Sequence, residues 1–311
     1  MHKTIYIKFL PYNITIEAQI FLDSNYSLSK PILDVLPYRS VMTHTLVSGG
    51  NIYHFTPITD RFVLKPDKLT NRQSAPIGTI FLPDPQSLFI KYDQIFETND
   101  FPAIGRVVPS DITKLIEIGK LCWQSVYKTK EIIQVEITSE DSGNHHIKTH
   151  QIFPDTKLIN NIRVKDCADK IIMEATKIWL CPPDDLKKIF QNKDVYLSVK
   201  HFVASTLQHL GILGSSNSLL QISDISQINI DYLRLLTDKI MCKYNFYFLK
   251  DCGLEKLHEL SEEFYSIINL IDNKKEYFLV LSLFSTYISQ LHLWSLNYFP
   301  WYSQDFHGYP N

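Results

Sequence analysis

Glycine is scarce in this chain, and the few residues present form no Gly-rich phosphate-binding turn. Ten occur in 311 residues, none in a GxGxxG spacing, and the nearest approach, Gly211-Ile212-Leu213-Gly214, follows a helical pattern rather than a strand. A dinucleotide pyrophosphate is held at a Gly-rich turn between strand and helix, so a nicotinamide cofactor of the Rossmann kind is not expected. Cysteine is also sparse: Cys122, Cys167, Cys181, Cys242 and Cys252 are odd in number, far apart and never in a CxxC pair. That argues against a disulfide framework and fits free thiols in a reducing cytoplasm. No block of like charge occurs, since 31 Lys and Arg face 33 Asp and Glu for a net −2, and nucleic acid is not an expected partner. A long uninterrupted hydrophobic run is missing as well. The most apolar stretch, 278–296, is broken by Ser282, Ser285, Thr286, Ser289, Gln290 and His292, and reads as the central helix of a bundle, with no membrane partner. The first residues, MHKTIYIKFLPYNITIEAQIF, alternate polar and apolar without an apolar h-region, so no secretion signal is expected and the location reads as cytoplasmic.

What is present is enough apolar surface for two cores, 45% hydrophobic and 13% aromatic. Up to about residue 108 the hydrophobic period is two. Short β-branched and aromatic runs at 4–9, 14–22, 40–46, 51–55, 79–82 and 88–92 are separated by Pro, Gly, Asn and Asp, and predict an antiparallel β domain. Gly49-Gly50 suits a tight hairpin turn. A helix from an N-cap at Asp111 to about Tyr127, a strand at 131–138, and a further strand at 146–152 after the turn at 141–144 complete it. From Asp166 the apolar spacing becomes three to four, over 171–179, 195–213, 231–249, 254–270 and 277–296. Pro182-Pro183 opens a helix, 211–218 reads as a loop, and Gly253 as a helix stop. The predicted fold is α+β and multidomain, with a barrel over 1–140, a hairpin strand and linker over 141–165, and an all-α bundle over 166–311.

The order of elements resembles a known family. Leu36-Pro37-Tyr38-Arg39-Ser40-Val41, then Gly49-Gly50-Asn51-Ile52-Tyr53-His54-Phe55-Thr56-Pro57, looks like the strand pair of small bacterial cyclophilin-like proteins. Ile77-Gly78-Thr79-Ile80-Phe81-Leu82-Pro83 and Ala103-Ile104-Gly105-Arg106-Val107 are similar to their later strands. A cyclophilin-like antiparallel β-barrel fused to a helical bundle with an aromatic tail resembles the cucumopine and mikimopine synthases, opine synthases of the Pictet–Spengler kind. The resemblance implies condensation of L-histidine with 2-oxoglutarate through an imine, then ring closure by the imidazole carbon, without a redox cofactor. It thus implies small-molecule partners, an amino acid and a keto acid.

Such a site has three substrate carboxylates to hold, which bidentate arginine does best. Arg39 and Arg106 are the arginines on strands that the fold could turn toward one pocket, whereas Arg61 and Lys91 read as surface charges. Proton transfer near neutrality calls for histidine, and His54 and His44 lie on the paired strands. Each of these four also has a structural reading, as a surface charge or a hydrogen-bonded strand residue. Asp84, between Pro83 and Pro85, reads as an ordinary turn residue ahead of a candidate base or amine anchor. Tyr53, Phe81 and Tyr92 are the aromatic candidates for substrate contact; with Phe55 and Phe89 they line or fill the barrel, and as alternating strand residues most belong to the core, at best two touching substrate. His145, His146 and His150 lack a carboxylate or Cys at ligand spacing, so no metal is expected, and His201 and His209 sit too far apart on one helix. The tail 297–310 is too aromatic to stay in water. It reads as a clamp or a homodimer contact ahead of a lid bringing Asp305 or His307 to the site, and the helical domain offers a second dimer contact. Two other functions stay open: a small-molecule-binding cyclophilin-like module, and a peptidyl-prolyl isomerase, whose Phe-, Gln- and Gly-rich signature the chain lacks.

Overall fold

Alternation along the N-terminal strands decides which side chains meet. A computed structural model describes residues 1–59, 66–84, 86–142, 146–208 and 211–300. Arg61, Pro85, His145, His209 and the tail from Trp301, with Asp305 and His307, lie outside the described residues. The described chain divides into two compact units, Met1–Ile58 with 66–152, and Thr59 with Phe153–Pro300.

The first unit runs β1 (His2–Phe9), β2 (Ile14–Phe21), α1 (Tyr26–Asp34), β3 (Tyr38–His44), β4 (Gly49–Phe55), β5 (Thr70–Asn71), β6 (Thr79–Asp84), β7 (Ser87–Ile95), β8 (Asp100–Phe101), β9 (Ala103–Val107), α2 (Ile112–Gln124) and β10 (Ile133–Ser139). Eight strands close into an antiparallel barrel in the order β1-β10-β3-β4-β7-β6-β9-β2, while β5 and β8 form a separate two-stranded ribbon. Register carries one face of each strand inward: Ile7 opposite Ile137 and Ile16, Val135 opposite Ser40, and Met42 opposite His54, which faces Leu88. Ile5, Ile7, Phe9, Ile16, Ala18, Ile20, Ile52 and Ile90 are buried there, and helix α2 adds Leu115, Ile118 and Cys122.

Several local expectations are corrected. Residues 45–48 make the β3–β4 turn, and Gly49 (φ +88°) instead opens β4 at a bulge. At Gly50 a Cβ would stand 2.3 Å from the Asp93 Cβ, so close strand approach is what requires glycine there. Asp111 precedes α2 without capping it by its side chain, and its carboxylate accepts from the Glu17 backbone N–H at 2.8 Å, fastening β2. The strand expected at 146–152 is reduced to two isolated parallel bridges, Tyr38 with Lys148 and Ile58 with Ile152. Backbone bonds at the first bridge, Arg39 N–H to the Lys148 carbonyl and Lys148 N–H to the Pro37 carbonyl, are joined by Lys148 Nζ donating to the Val35 and Leu36 carbonyls, and together they anchor the segment without a continuous ladder. Helix α1, with Pro31 inside it, has no counterpart in the sequence reading.

The second unit is helical: α3 (Ile162–Lys177), α4 (Asp184–Gln191), α5 (Leu197–Leu207), α6 (Ile212–Ser223), α7 (Ile230–Ile240), α8 (Lys243–Asp251), α9 (Glu255–Ile267) and α10 (Lys274–Tyr298). Asn161, Asn229 and Asn273 cap α3, α7 and α10, their side chains accepting from backbone N–H groups of the first turn. Helix α10 is buried from Val280 to Leu296, and Trp294 Nε1 donates to the Ile178 carbonyl at 2.7 Å. The loop expected at 211–218 is helix α6. Its serines donate back to carbonyls three or four residues earlier, which lets a polar run stay helical while Leu213, Leu219 and Leu220 are buried. Tyr298 and Phe299, at the head of the aromatic tail, pack on Phe190 of α4 with ring centroids 5.0 and 6.3 Å away. Among the described residues no helix is long and apolar enough to cross a membrane.

Candidate active site

The two histidines proposed as proton carriers lie on the inward face of the barrel. His54 is fully buried, with Nε2 2.9 Å from the Tyr38 hydroxyl, and burial pushes its pKa down to about 3. His44 Nδ1 accepts from the Leu46 backbone N–H at 3.1 Å, so the ring proton sits on Nε2 and donates to the Tyr92 hydroxyl at 2.8 Å. The His44 ring also meets Trp123 of α2 edge-on at 5.0 Å. These are two enclosed His–Tyr pairs, each walled by the core, and Tyr92 belongs with them rather than with a surface that receives substrate.

The arginines chosen from the sequence do not converge. Strands β3 and β9 stand four places apart in a ring of eight, so Arg39 and Arg106 lie on opposite sides of the barrel. Arg39 pairs with Glu136 across β3 and β10, and Arg106 is exposed. Asp84 accepts from the backbone N–H groups of Gln86 (2.8 Å) and Ser87 (3.0 Å), the geometry of an Asx turn.

A different group assembles on the outward face of β4, β7 and β6. Cross-strand register sets Tyr53 beside Phe89 and Phe89 beside Phe81, giving an aromatic row, and Asn51 lies beside Lys91 on the same face. The Tyr53 and Phe89 rings are 5.1 Å apart. Over this platform the β5–β8 ribbon fastens a loop. Asn71 Nδ2 donates to the Thr98 carbonyl and the Asp100 carboxylate, and Asn71 Oδ1 accepts from the Ser74 N–H. Lys91 is no surface charge: its ammonium is buried and donates to the carbonyls of Arg72, Gln73 and Ala75 at 2.7 to 2.9 Å. Ribbon and ammonium together hold Arg72 in place.

Arg72 is 1% exposed and ion-paired to Glu97, which is 36% exposed. Its guanidinium lies 4.7 Å from the Phe101 ring centroid and 5.8 Å from that of Phe89. Burial draws its pKa below the ordinary value and the Glu97 carboxylate opposes that shift. Nε and Nη2 have no hydrogen-bond partner among the described residues, so a guanidinium packed against two aromatic rings keeps the three N–H groups of two nitrogens unused. A buried arginine with spare donors can receive a carboxylate, and a part-exposed carboxylate such as Glu97 beside it can accept a proton. The structure thus gathers Tyr53 and Phe81 from the sequence candidates and adds Arg72, Glu97, Phe89 and Asn51. Arg72 sits in a polar stretch, 70–76, without periodicity; the one available signal was that only six arginines exist. Among the described residues no group of three or more His, Cys, Asp or Glu is placed to hold a metal ion.

Comparison with known proteins defines the class. Residues 164–298 match the family model of the cucumopine synthase C-terminal helical bundle domain. The chain is also similar to a solved structure, McbB in complex with tryptophan, at 26% identity and a TM-score of 0.84, over 96% of this chain and 97% of that one. The solution structure of the hypothetical protein AF2241 from Archaeoglobus fulgidus aligns with 44% of this chain and 95% of its own, at 12% identity and a TM-score of 0.28. No curated protein matches. Barrel, bundle and the first two matches define a non-redox, Pictet–Spengler-type condensing and cyclising enzyme. More particularly, most of its C-terminal unit, residues 164–298, is matched by the cucumopine synthase helical bundle model.

Proposed function

We propose that this enzyme condenses L-histidine with 2-oxoglutarate at the outward face of β4 and β7, giving cucumopine or mikimopine. The observation that carries the reading is the enclosed Arg72 with two unused donor nitrogens beside the part-exposed Glu97. The amine adds to the keto carbon and water leaves, forming an imine. The nucleophilic ring carbon then attacks the imine carbon, a carbon–carbon bond closes the new ring, and the proton on the attacking carbon is lost. Electrons and atoms balance without oxidant or reductant, the product being the sum of the substrates minus one water. Arg72 holds a substrate carboxylate by two parallel N–H donors, the platform of Phe81, Phe89 and Tyr53 packs against the flat ring, and Glu97 takes the ring proton. Tryptophan is the second reading for the amine, favoured by the ligand of McbB. Its indole offers the same kind of nucleophilic ring carbon.

The experiment is incubation of purified protein with 2-oxoglutarate and either L-histidine or L-tryptophan, without nicotinamide. A borohydride quench reduces the imine, and mass spectrometry then reports the cyclised adduct at minus one water, unreduced. Formation of that product by the wild-type protein, falling on the order of 10²-fold in Glu97→Gln with the melting temperature kept, supports the reading. A product two hydrogens heavier that forms without borohydride and only when a reduced nicotinamide is supplied, or undiminished turnover in Glu97→Gln, rejects it.

A further inference from the structure

Asn51 is fully buried on β4, and neither its Oδ1 nor its Nδ2 has a hydrogen-bond partner among the described residues. Leaving both ends of a carboxamide unpaired in the interior costs more than most single interactions contribute. An apolar residue of the same size would serve the barrel better if packing were the only demand. Register places Asn51 beside Lys91 and one pair along from Tyr53 and Phe89, on the face that carries Arg72 above Phe89. The backbone around it is satisfied: Thr45 N–H and Oγ1 both donate to the Asn51 carbonyl, so only the side chain is left open. Two side chains with unused polar atoms therefore belong to one sheet face, Asn51 on β4 with an amide acceptor and an NH2 donor group, and Arg72 from the ribbon loop over Phe89 with spare donors.

We propose that Asn51 is a substrate-binding and specificity residue for the amino-acid partner. Its Oδ1 accepts from the substrate amine N–H, and its Nδ2 donates to an oxygen of the carboxylate. A carboxamide presents an acceptor and a donor side by side, the complement of an amine and a carboxylate on one carbon, so the substrate class is an α-amino acid rather than a simple arylethylamine. This inference rests on the reading that the site joins an amino acid to a keto acid.

The test is calorimetric titration of L-histidine and L-tryptophan into wild type, Asn51→Leu and Asn51→Ala, with melting temperatures of the free proteins. The proposal expects Kd for the bound amino acid to rise about ten- to a hundredfold in both variants. It also expects the free Asn51→Leu protein to melt no lower than wild type, because two unpaired polar atoms are gone. Should the variants fail to fold, the wild-type protein decides: the Asn51 side-chain NH2 resonances must move on addition of the amino acid. A wild type that binds amino acid and turns over, with equal Kd in the variants or unmoved Asn51 resonances, overturns this inference alone. A wild type that binds neither amino acid overturns it together with the reading of the site.

Discussion

At the scale of single residues, histidine and arginine exchange the places that composition suggests for them. A histidine between aromatics on a strand is chemically suited to proton transfer, yet strand parity carries His54 and His44 inward, where each imidazole is paired with a tyrosine and sealed off. For His54 the consequence is thermodynamic. Its folded pKa of about 3 lies below the ordinary 6.5, so between those values the unfolded chain binds the proton and the folded one does not. The neutral ring's contribution is therefore present in full above pH 6.5 and is lost as the pH falls toward 3. Urea unfolding at pH 7, 5 and 4 is expected to lose about 1.4 kcal/mol per pH unit from this group below pH 6. In His54→Gln that component is absent while the remaining acid dependence persists. A wild type and variant with parallel pH profiles would show that the ring is charged or solvated in the folded state. The residues that form the site could not be chosen from the sequence, because what distinguishes Arg72 is enclosure by Phe89 and Phe101 and by the Lys91 ammonium below it.

Among the elements, those with a long and regular period were legible and those held by side chains were not. The strands around Ile7, Ile16, Ile52 and Ile90, and helices α3, α9 and α10, follow from apolar spacing. Helix α6 was hidden because Ser, Asn and Gly carry loop propensity, and buried leucines on one face override it. The stretch read as one helix at 231–249 is two, α7 and α8, interrupted at Met241-Cys242. Helix α2 shows how closely an element is fitted to the barrel. A Cβ on Gly119 would lie 2.4 Å from the Tyr92 ring, too close for any rotamer adjustment of a methyl group to relieve. Gly119→Ala is thus expected to push Tyr92 off His44 or lift α2, at a cost of about 1–3 kcal/mol, in spite of alanine's better helix propensity. Chemical denaturation measures this directly. An unchanged or raised midpoint would mean that α2 and the barrel wall are farther apart than described.

For the whole molecule, the change from a period of two to one of three to four is what divides the sequence, and the structure has its two compact units meet in sequence at Ile152 and Phe153. The sequence places a barrel over 1–140 and a hairpin strand and linker over 141–165, with Pro154 ending that strand near the boundary; residues 146–152 are held to the barrel unit through the bridges to Tyr38 and Ile58. Proteases report on backbone that is exposed and weakly hydrogen-bonded, and among the described residues the turn just after the junction is open in that sense. Residues 156–158 form a single 3-10 turn, with Lys157 84% and Leu158 75% exposed, between the buried Gln151 and Ile159. Brief trypsin treatment of the native protein is therefore expected to cut first after Lys157, giving an N-terminal fragment that contains every barrel strand and a C-terminal fragment that begins just before α3. Mass spectrometry of the earliest products identifies the bond. First cleavage within 1–110 would place the weakest backbone inside the barrel and refute the division drawn here, whereas protection of Lys157 at long digestion times would mean that the turn is covered.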